Sequence, residues 1–304
     1  MAVTTRLLAG KEALPDARVE QYALDLARAM PRLALDARRV ANALVHGLHG
    51  RHRAGPGENF WQFRHFSAGE AAMRVDWRRS ARDDHLYVRE REWDTAQTIW
   101  LWVDRSPSMA FISSLAHAPK IERAFVLCFA FADLLVRGGE RVGLVGRGRP
   151  SSSRAVVEKL AEAFLVDSEV DRDMPPATAL PPTNEAILIG DFLDPPAETM
   201  ARMSVLASRG ARGHLLMIVD PIEETFPFSG RMELIDPETR QRLMAGRAES
   251  LREDYVRLLA AHRELLRAEA HRLGWTLTLH HTDRPAAQAV LALHPLLRTG
   301  GGRA

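Results

Sequence analysis

The segment "VDRSPSM", Val103 to Met109, sets one carboxylate and two hydroxyls in alternation: Asp104, Ser106 and Ser108. It directly follows the apolar stretch "QTIWLW", so a buried strand delivers these oxygens to a loop. A second acid, Asp191, follows another apolar run, "EAILIG". Two carboxylates and two hydroxyls form an all-oxygen donor set, suited to hard divalent cations, Mg2+ first and Ca2+ or Mn2+ next. Mg2+ usually keeps several waters, so the carboxylates can act through water. A site short of protein charge also leaves a position for a carboxylate from another molecule. Such an arrangement recognises a partner rather than hydrolysing a bond.

The same residues have a catalytic alternative, a metal-assisted hydrolase with Asp104 or Ser106 as nucleophile. A haloacid-dehalogenase-type phosphatase needs a second aspartate two residues after the first, and Ser106 stands there. A serine hydrolase needs a Gly-x-Ser-x-Gly elbow, which Pro107 and Met109 do not supply. The fingerprint Gly-x-Gly-x-x-Gly of dinucleotide sites is absent after this strand. "GLVGRGRP" lacks the Gly-Lys-Ser/Thr ending of a phosphate loop and reads as a turn. His280-His281 with Asp283 resembles a metal or acid–base pair, but a solvated strand end is the expected reading. Asp194 before Pro195 is expected to cap a helix, and Asp220 before Pro221 to line a crevice rim.

The elements around these residues define a fold class. The chain has 304 residues, 46% hydrophobic and 26% charged, an ordinary globular composition. Its formal net charge of +2 is weak grounds for a nucleic-acid partner, and none is expected. Lysine occurs only at Lys11, Lys120 and Lys159, so arginine carries nearly all the positive charge. The single cysteine, Cys128, excludes an internal disulfide framework and reads as a small core residue. No stretch reaches the roughly 18 apolar residues of a membrane span; a cytoplasmic protein is expected.

Residues 17 to 49 have a helical stripe, with Pro31 expected to divide it into two helices. From about residue 96, apolar strands alternate with helices: a helix over Lys120 to Arg137 ending at Gly138-Gly139, and further strands in "RVGLVG", "EAILIG", "HLLMIVD" and "WTLTLH". This alternation predicts an α/β fold, a doubly wound, mostly parallel sheet covered on both faces. With strand order 3-2-1-4-5-6, a short edge strand must lie near Arg147 to Ser151. Asp104 and Asp191 then face each other where the strand order reverses, the usual place for a ligand. "GRMELIDPETRQRLM" predicts a hairpin turning at Asp236-Pro237. The expected division is an N-terminal helical and short-strand region, 1–95, and an α/β domain, 96–304, with a hairpin and long-helix insertion around 222–273.

Ahead of the first central strand lies "GENFWQFRHFSAGEAAMRVDWRRSARDDHLYVREREWD". Its Gly57, Phe60, Arg64, Gly69, Arg74, Asp76, Trp77, Ser80, Ala81 and Arg82 resemble the signature of the bacterial family called domain of unknown function fifty-eight. In that family this signature precedes a von Willebrand factor A-like domain. Asp104, Ser106, Ser108 and Asp191 resemble the metal-ion-dependent adhesion site of such domains, which normally adds a threonine. Thr178 is the candidate here, with Thr183 beside it, though neither has the usual glycine-threonine setting. The resemblance implies a non-enzymatic interaction module using Mg2+ to hold a partner, the partner being a MoxR-type AAA+ ATPase or its client. Arg64, Arg74, Asp76, Trp77 and Arg82 are a candidate partner surface. Their structural alternative has Asp76 paired with an arginine and Trp77 packing the segment onto the sheet. From Arg51 to Glu92 nine arginines face seven acids, a poor composition for binding a phosphate backbone.

Overall fold

The computed structural model describes residues 16–49, 60–67, 71, 73, 75–82, 85–91, 96–166 and 173–298. The chain divides into two compact units, Leu48–Ala96 and the remainder. In the larger unit, helix α1 (Asp16–His49) joins the chain from Gln97 onward. Helix α1 thus shares a unit with the sheet rather than with the signature segment. The reason is burial: Met30, Leu33, Ala37 and Leu44 are part of the main hydrophobic core.

That same stripe explains why Pro31 does not split the helix, contrary to expectation. Pro31 lies inside one continuous α1. Proline removes one backbone hydrogen bond and crowds the preceding turn, but buried residues on the same face, Met30 and Leu33, carry the helix through.

The larger unit is built on a six-stranded sheet. Its strands are β3 (Thr98–Val103), β4 (Arg141–Leu144), β5 (Arg147–Ser151), β6 (Glu185–Gly190), β7 (Arg212–Val219) and β10 (Thr276–His281). Their spatial order is β10-β7-β6-β3-β4-β5, which is the predicted order with the predicted edge strand in place. All pairings are parallel except β4 with β5. Within "GLVGRGRP" only Val145-Gly146 forms the turn, the rest belonging to β4 and β5, with Gly146 and Gly148 at positive φ. Strand β5 contains Pro150, tolerable on an edge where one side of the ladder is free.

Alternation along the strands builds two cores. Ile99, Leu101 and Val103 of β3, Ile187 and Ile189 of β6, and Leu216 and Ile218 of β7 face one layer. Its helices are α1, α3 (Lys120–Arg137), α4 (Val156–Val166) and α8 (Ala286–Arg298). Trp102, Ala186, Leu188, Leu215 and Met217 face the other layer, with α5 (Pro196–Ala207) and α7 (Arg252–Arg272). Central strands buried on both faces must be apolar throughout, which is why they read as unbroken apolar runs. Cys128 is buried in the first layer, and burial pushes its thiol up. Between β7 and α7 come a short helix α6 (Pro221–Thr225) and the hairpin β8 (Met232–Ile235) with β9 (Arg242–Ala245). At its turn, Asp236 accepts from the Glu238 N–H and the Thr239 hydroxyl.

The smaller unit holds an antiparallel pair, β1 (Phe60–His65) and β2 (Tyr87–Arg91), and a four-residue helix, α2 (Trp77–Ser80).

Candidate functional site

Strand order reverses between β3 and β6, and the loops after both strands meet there. The strand pairing runs one residue past β3, with the Asp104 N–H donating to the Ile189 carbonyl at 2.8 Å. This brings Asp104 against Gly190. A Cβ on Gly190 would lie 2.7 Å from the Asp104 Cβ, so only glycine fits. Asp104 Oδ1 accepts the Ser106 N–H at 2.9 Å, which turns the chain and starts the short 3-10 helix Pro107–Ala110.

From there a hydrogen-bonded chain crosses the crevice. Ser108 Oγ donates to Asp191 Oδ2 at 2.8 Å. Ser106 and Ser108 Oγ are 2.9 Å apart, and because the Ser108 proton is committed, Ser106 is the donor of that bond. The four residues predicted from spacing are therefore brought together. Asp104, Ser106 and Asp191 are buried. Burial first, and the charge of Asp191 next, push the Asp104 carboxyl well above its ordinary range, against the bond from the Ser106 N–H. Phe192, after Asp191, takes a left-handed backbone (φ 49°), sparsely populated for a bulky residue. Its carbonyl meets His262 Nε2 of α7 at 2.6 Å, so the long insertion helix is tied to this loop.

Sequence reasoning missed Lys120. Its side chain is fully buried, and Nζ lies 2.8 Å from Asp191 Oδ2 and 2.5 Å from Glu223 Oε1. Burial would lower its pKa, but the charges of Asp191 and Glu223 outweigh burial and hold it raised, so it is an ammonium. Glu223 is fixed by a capping box on α6: Asp220 accepts the Ile222 N–H, and Glu223 Oε2 accepts the Asp220 N–H. Asp220 is fully buried and also accepts the Ser113 N–H at 2.9 Å. It therefore anchors the crevice loop as well as capping the helix. A signal for Lys120 was present: one of only three lysines stands at the head of a largely buried helix, next to the Asp-Ser-Ser loop.

The oxygen donors suit a hard cation by type, but their arrangement does not fit a resident divalent ion. Asp191 Oδ2 already serves two donors, Lys120 and Ser108, and Oδ1 accepts the Leu193 N–H at 3.3 Å. A carboxylate oxygen has about two lone-pair sites, so the key ligand atom is filled from within. Thr178 does not join the set. It is exposed, with its N–H on the Pro176 carbonyl and its hydroxyl near Gly146. Thr183 is also exposed.

Other candidates fall elsewhere. Asp194 does not cap α5, whose N-cap is Pro195; its carboxylate lies with those of Asp173 and Glu238, mutually within 4.8 Å. His280 is buried at 3% exposure rather than solvated, because α3 and α8 cover the end of β10. His281 is half-buried and meets Glu224 at 2.7 Å.

In the smaller unit, Arg64 pairs with Val88 across β1 and β2. Asp76 caps α2 by accepting the Arg79 backbone N–H at 3.0 Å, so its partner is a helix start rather than a guanidinium. Trp77 is 62% exposed; the buried residue of α2 is Ser80. Arg82 is exposed. Arg79 stacks over Tyr87, 4.7 Å to the ring centre. Gly57, Gly69 and Arg74 lie outside the described residues.

Fold and site define a doubly wound α/β protein with a buried, charged crevice at the reversal of strand order. The chain belongs to the family described as Protein of unknown function DUF58, whose model matches residues 62–265. Among curated proteins it is 28% identical over 277 residues to the uncharacterized proteins Rv1480 of Mycobacterium tuberculosis and Mb1516 of Mycobacterium bovis. Each match covers 85% of this chain and 86% of the relative. Among solved structures, an aerotolerance-related membrane protein of Bacteroides fragilis matches with TM-score 0.41 and 12% identity, over 67% of this chain and all of that one. BatB of Bacteroides thetaiotaomicron, a conserved hypothetical protein, matches with TM-score 0.35 and 13% identity over the same shares. Among the described residues of this chain, no helix is long and apolar enough to cross a membrane.

Proposed function

We propose that this chain is a non-enzymatic interaction module, von Willebrand factor A-like in plan, that docks a partner protein at the crevice after β3 and β6. The partner implied by the family resemblance is a MoxR-type AAA+ ATPase or its client, met in the cytoplasm. One observation carries the reading. The loop leaving the Asp-Ser-Ser segment is pinned to the crevice by the Ser113–Asp220 bond, yet it displays Phe111, Ile112 and Leu115 at 40, 49 and 54% exposure. Apolar side chains held out by a rigid base suit a protein surface.

The hydrolase reading has less support. Asp104 and Ser106 are each 1% exposed, and Ser106 is bonded to a serine rather than to a base. Burial also pushes the Asp104 carboxyl toward its protonated form, which is a poor nucleophile. The test is capture of the purified MoxR-type ATPase encoded in the same genome by wild type and by Ile112→Ser/Leu115→Ser. At least a tenfold loss of affinity is expected; equal capture by both overturns the reading.

A further inference from the structure

We propose that Lys120 is the resident cation of the crevice, its ammonium taking the place that a divalent ion would otherwise fill among Asp104, Ser106, Ser108 and Asp191. The inference concerns the crevice on which the docking reading rests, but it is tested without a partner, so the two fail separately.

Three observations combine. First, the ammonium touches the ligand atom itself, because Lys120 Nζ and Ser108 Oγ share Asp191 Oδ2 as acceptor, each at 2.8 Å. A divalent ion bound to that oxygen would sit beside a fixed positive charge, inside a water-poor site where like charges repel strongly. Second, the ammonium is held from the backbone upward. The Lys120 N–H donates to the Phe111 carbonyl at 3.2 Å, which sets the head of α3 against the crevice loop. The side chain is 0% exposed and cannot swing out without unpacking that helix. Third, Glu223 serves the ammonium rather than the oxygen set. It reaches Lys120 Nζ at 2.5 Å with one oxygen and the Asp220 N–H with the other. A buried lysine survives only when paired and hydrogen-bonded, and here two carboxylates from different elements do that.

The crevice is therefore balanced by a covalently attached cation. It offers no open coordination position for a partner's carboxylate, and docking is independent of Mg2+ or Ca2+. Recognition falls to the apolar rim of Phe111, Ile112 and Leu115.

The experiment is a Mn2+ titration of the full chain, with free Mn2+ followed by electron paramagnetic resonance. Wild type is expected to show no saturable site up to millimolar Mn2+ that depends on Asp191. Lys120→Met, which removes the charge but keeps the bulk, is expected to gain one saturable site, lost again on adding Asp191→Asn. A saturable site in wild type that Asp191→Asn abolishes overturns the proposal. So does a folded Lys120→Met that binds no Mn2+, since the lysine would then not be standing in a cation's place. If Lys120→Met does not fold, Lys120→Met/Glu223→Gln carries the same readings. It removes one stranded carboxylate and keeps the four oxygen donors.

Discussion

Helix α3 sends two cations, one turn apart, into two buried polar clusters that solve the same problem differently. Lys120 enters the crevice after β3 and β6, where it meets Asp191 and Glu223. Arg123 enters the cluster at the end of β10, where one guanidinium nitrogen donates to the Thr282 carbonyl at 3.0 Å. In the second cluster Arg123 Nε, His280 Nε2, Thr282 Oγ1 and Asp283 Oδ1 are buried without a hydrogen-bond partner among the described residues. The first cluster keeps its charges and pairs them. The second gives charge up: burial, then the charge of Arg123, lower the His280 pKa to about 4. A compact ammonium is outmatched in charge by two carboxylates, which take two of its three donors, whereas a five-donor guanidinium in a tight site leaves more donors over.

The largest effect should come from breaking the pairing in the first cluster. Lys120→Met strands two buried carboxylates, a change that typically costs about 3–5 kcal/mol. Chemical denaturation should show that loss, and Glu223→Gln added to it should recover part. A loss no larger than for an exposed pair such as Arg257–Asp254, at most about 1 kcal/mol, would put Lys120 outside the network.

The second cluster should respond to pH instead. The ordinary histidine pKa is 6.5 and the folded value about 4, so the unfolded chain takes up the proton first as pH falls. The contribution is complete above about pH 6.5 and lost progressively toward pH 4, about 2–3 kcal/mol in all. Subtracting the stability curve of His280→Asn from that of wild type should expose this slope. Parallel curves would mean that His280 titrates normally and that the clusters do not differ in the way described.

The sequence was informative where burial is two-sided and opaque where it is not. Unbroken apolar runs marked β3, β6 and β7, and the hidden strand at Arg147–Ser151 followed from strand order alone. Asp104, Ser106, Ser108 and Asp191 were found because spacing and strand ends are local properties. Lys120 and Glu223 were not, since their meeting with Asp191 depends on how α3 and α6 seat over the crevice, 71 and 103 residues apart in the Lys120 pairs. His280 misled for the complementary reason. A histidine pair at a strand end looks solvated until helices from distant sequence cover it. Pro31 misled because a local breaker was outweighed by the packing of its own helix face.

A change of packing rather than charge sharpens the first cluster further. Gly190→Ala would set a methyl 2.7 Å from the Asp104 Cβ, and neither backbone can yield without disturbing the β3–β6 pairing. Overpacking of this kind costs about 2 kcal/mol, read as a lowered denaturation midpoint with an unchanged slope. An unaffected midpoint would mean the strands close less tightly over Asp104.

The smallest effect separates charge from position within the crevice itself. Asp104 is buried beside Asp191, and its carboxyl is held well above the ordinary range by that burial and that charge. Its raised carboxyl favours the neutral form, of which asparagine is a near-isostere: Oδ1 still accepts the Ser106 N–H, and the amide nitrogen replaces the protonated oxygen. Asp104→Asn should therefore change stability by less than about 1 kcal/mol below about pH 3.9, where the acid is neutral in both the folded and the unfolded chain. An aspartate with a raised folded pKa favours folding fully below its unfolded value near 3.9 and loses that contribution as pH rises through the folded value. The variant should thus match wild type at acidic pH and gain on it as pH rises toward neutrality. Asp191→Asn, by contrast, takes one of two carboxylates from Lys120 and should cost several times more at every pH where the ammonium persists. If the two substitutions cost the same, Asp104 is ionised and the crevice holds a negative charge that Lys120 alone does not balance. If they split as expected, the charge lies on Asp191, Glu223 and Lys120, and Asp104 acts as the neutral hinge that turns the chain.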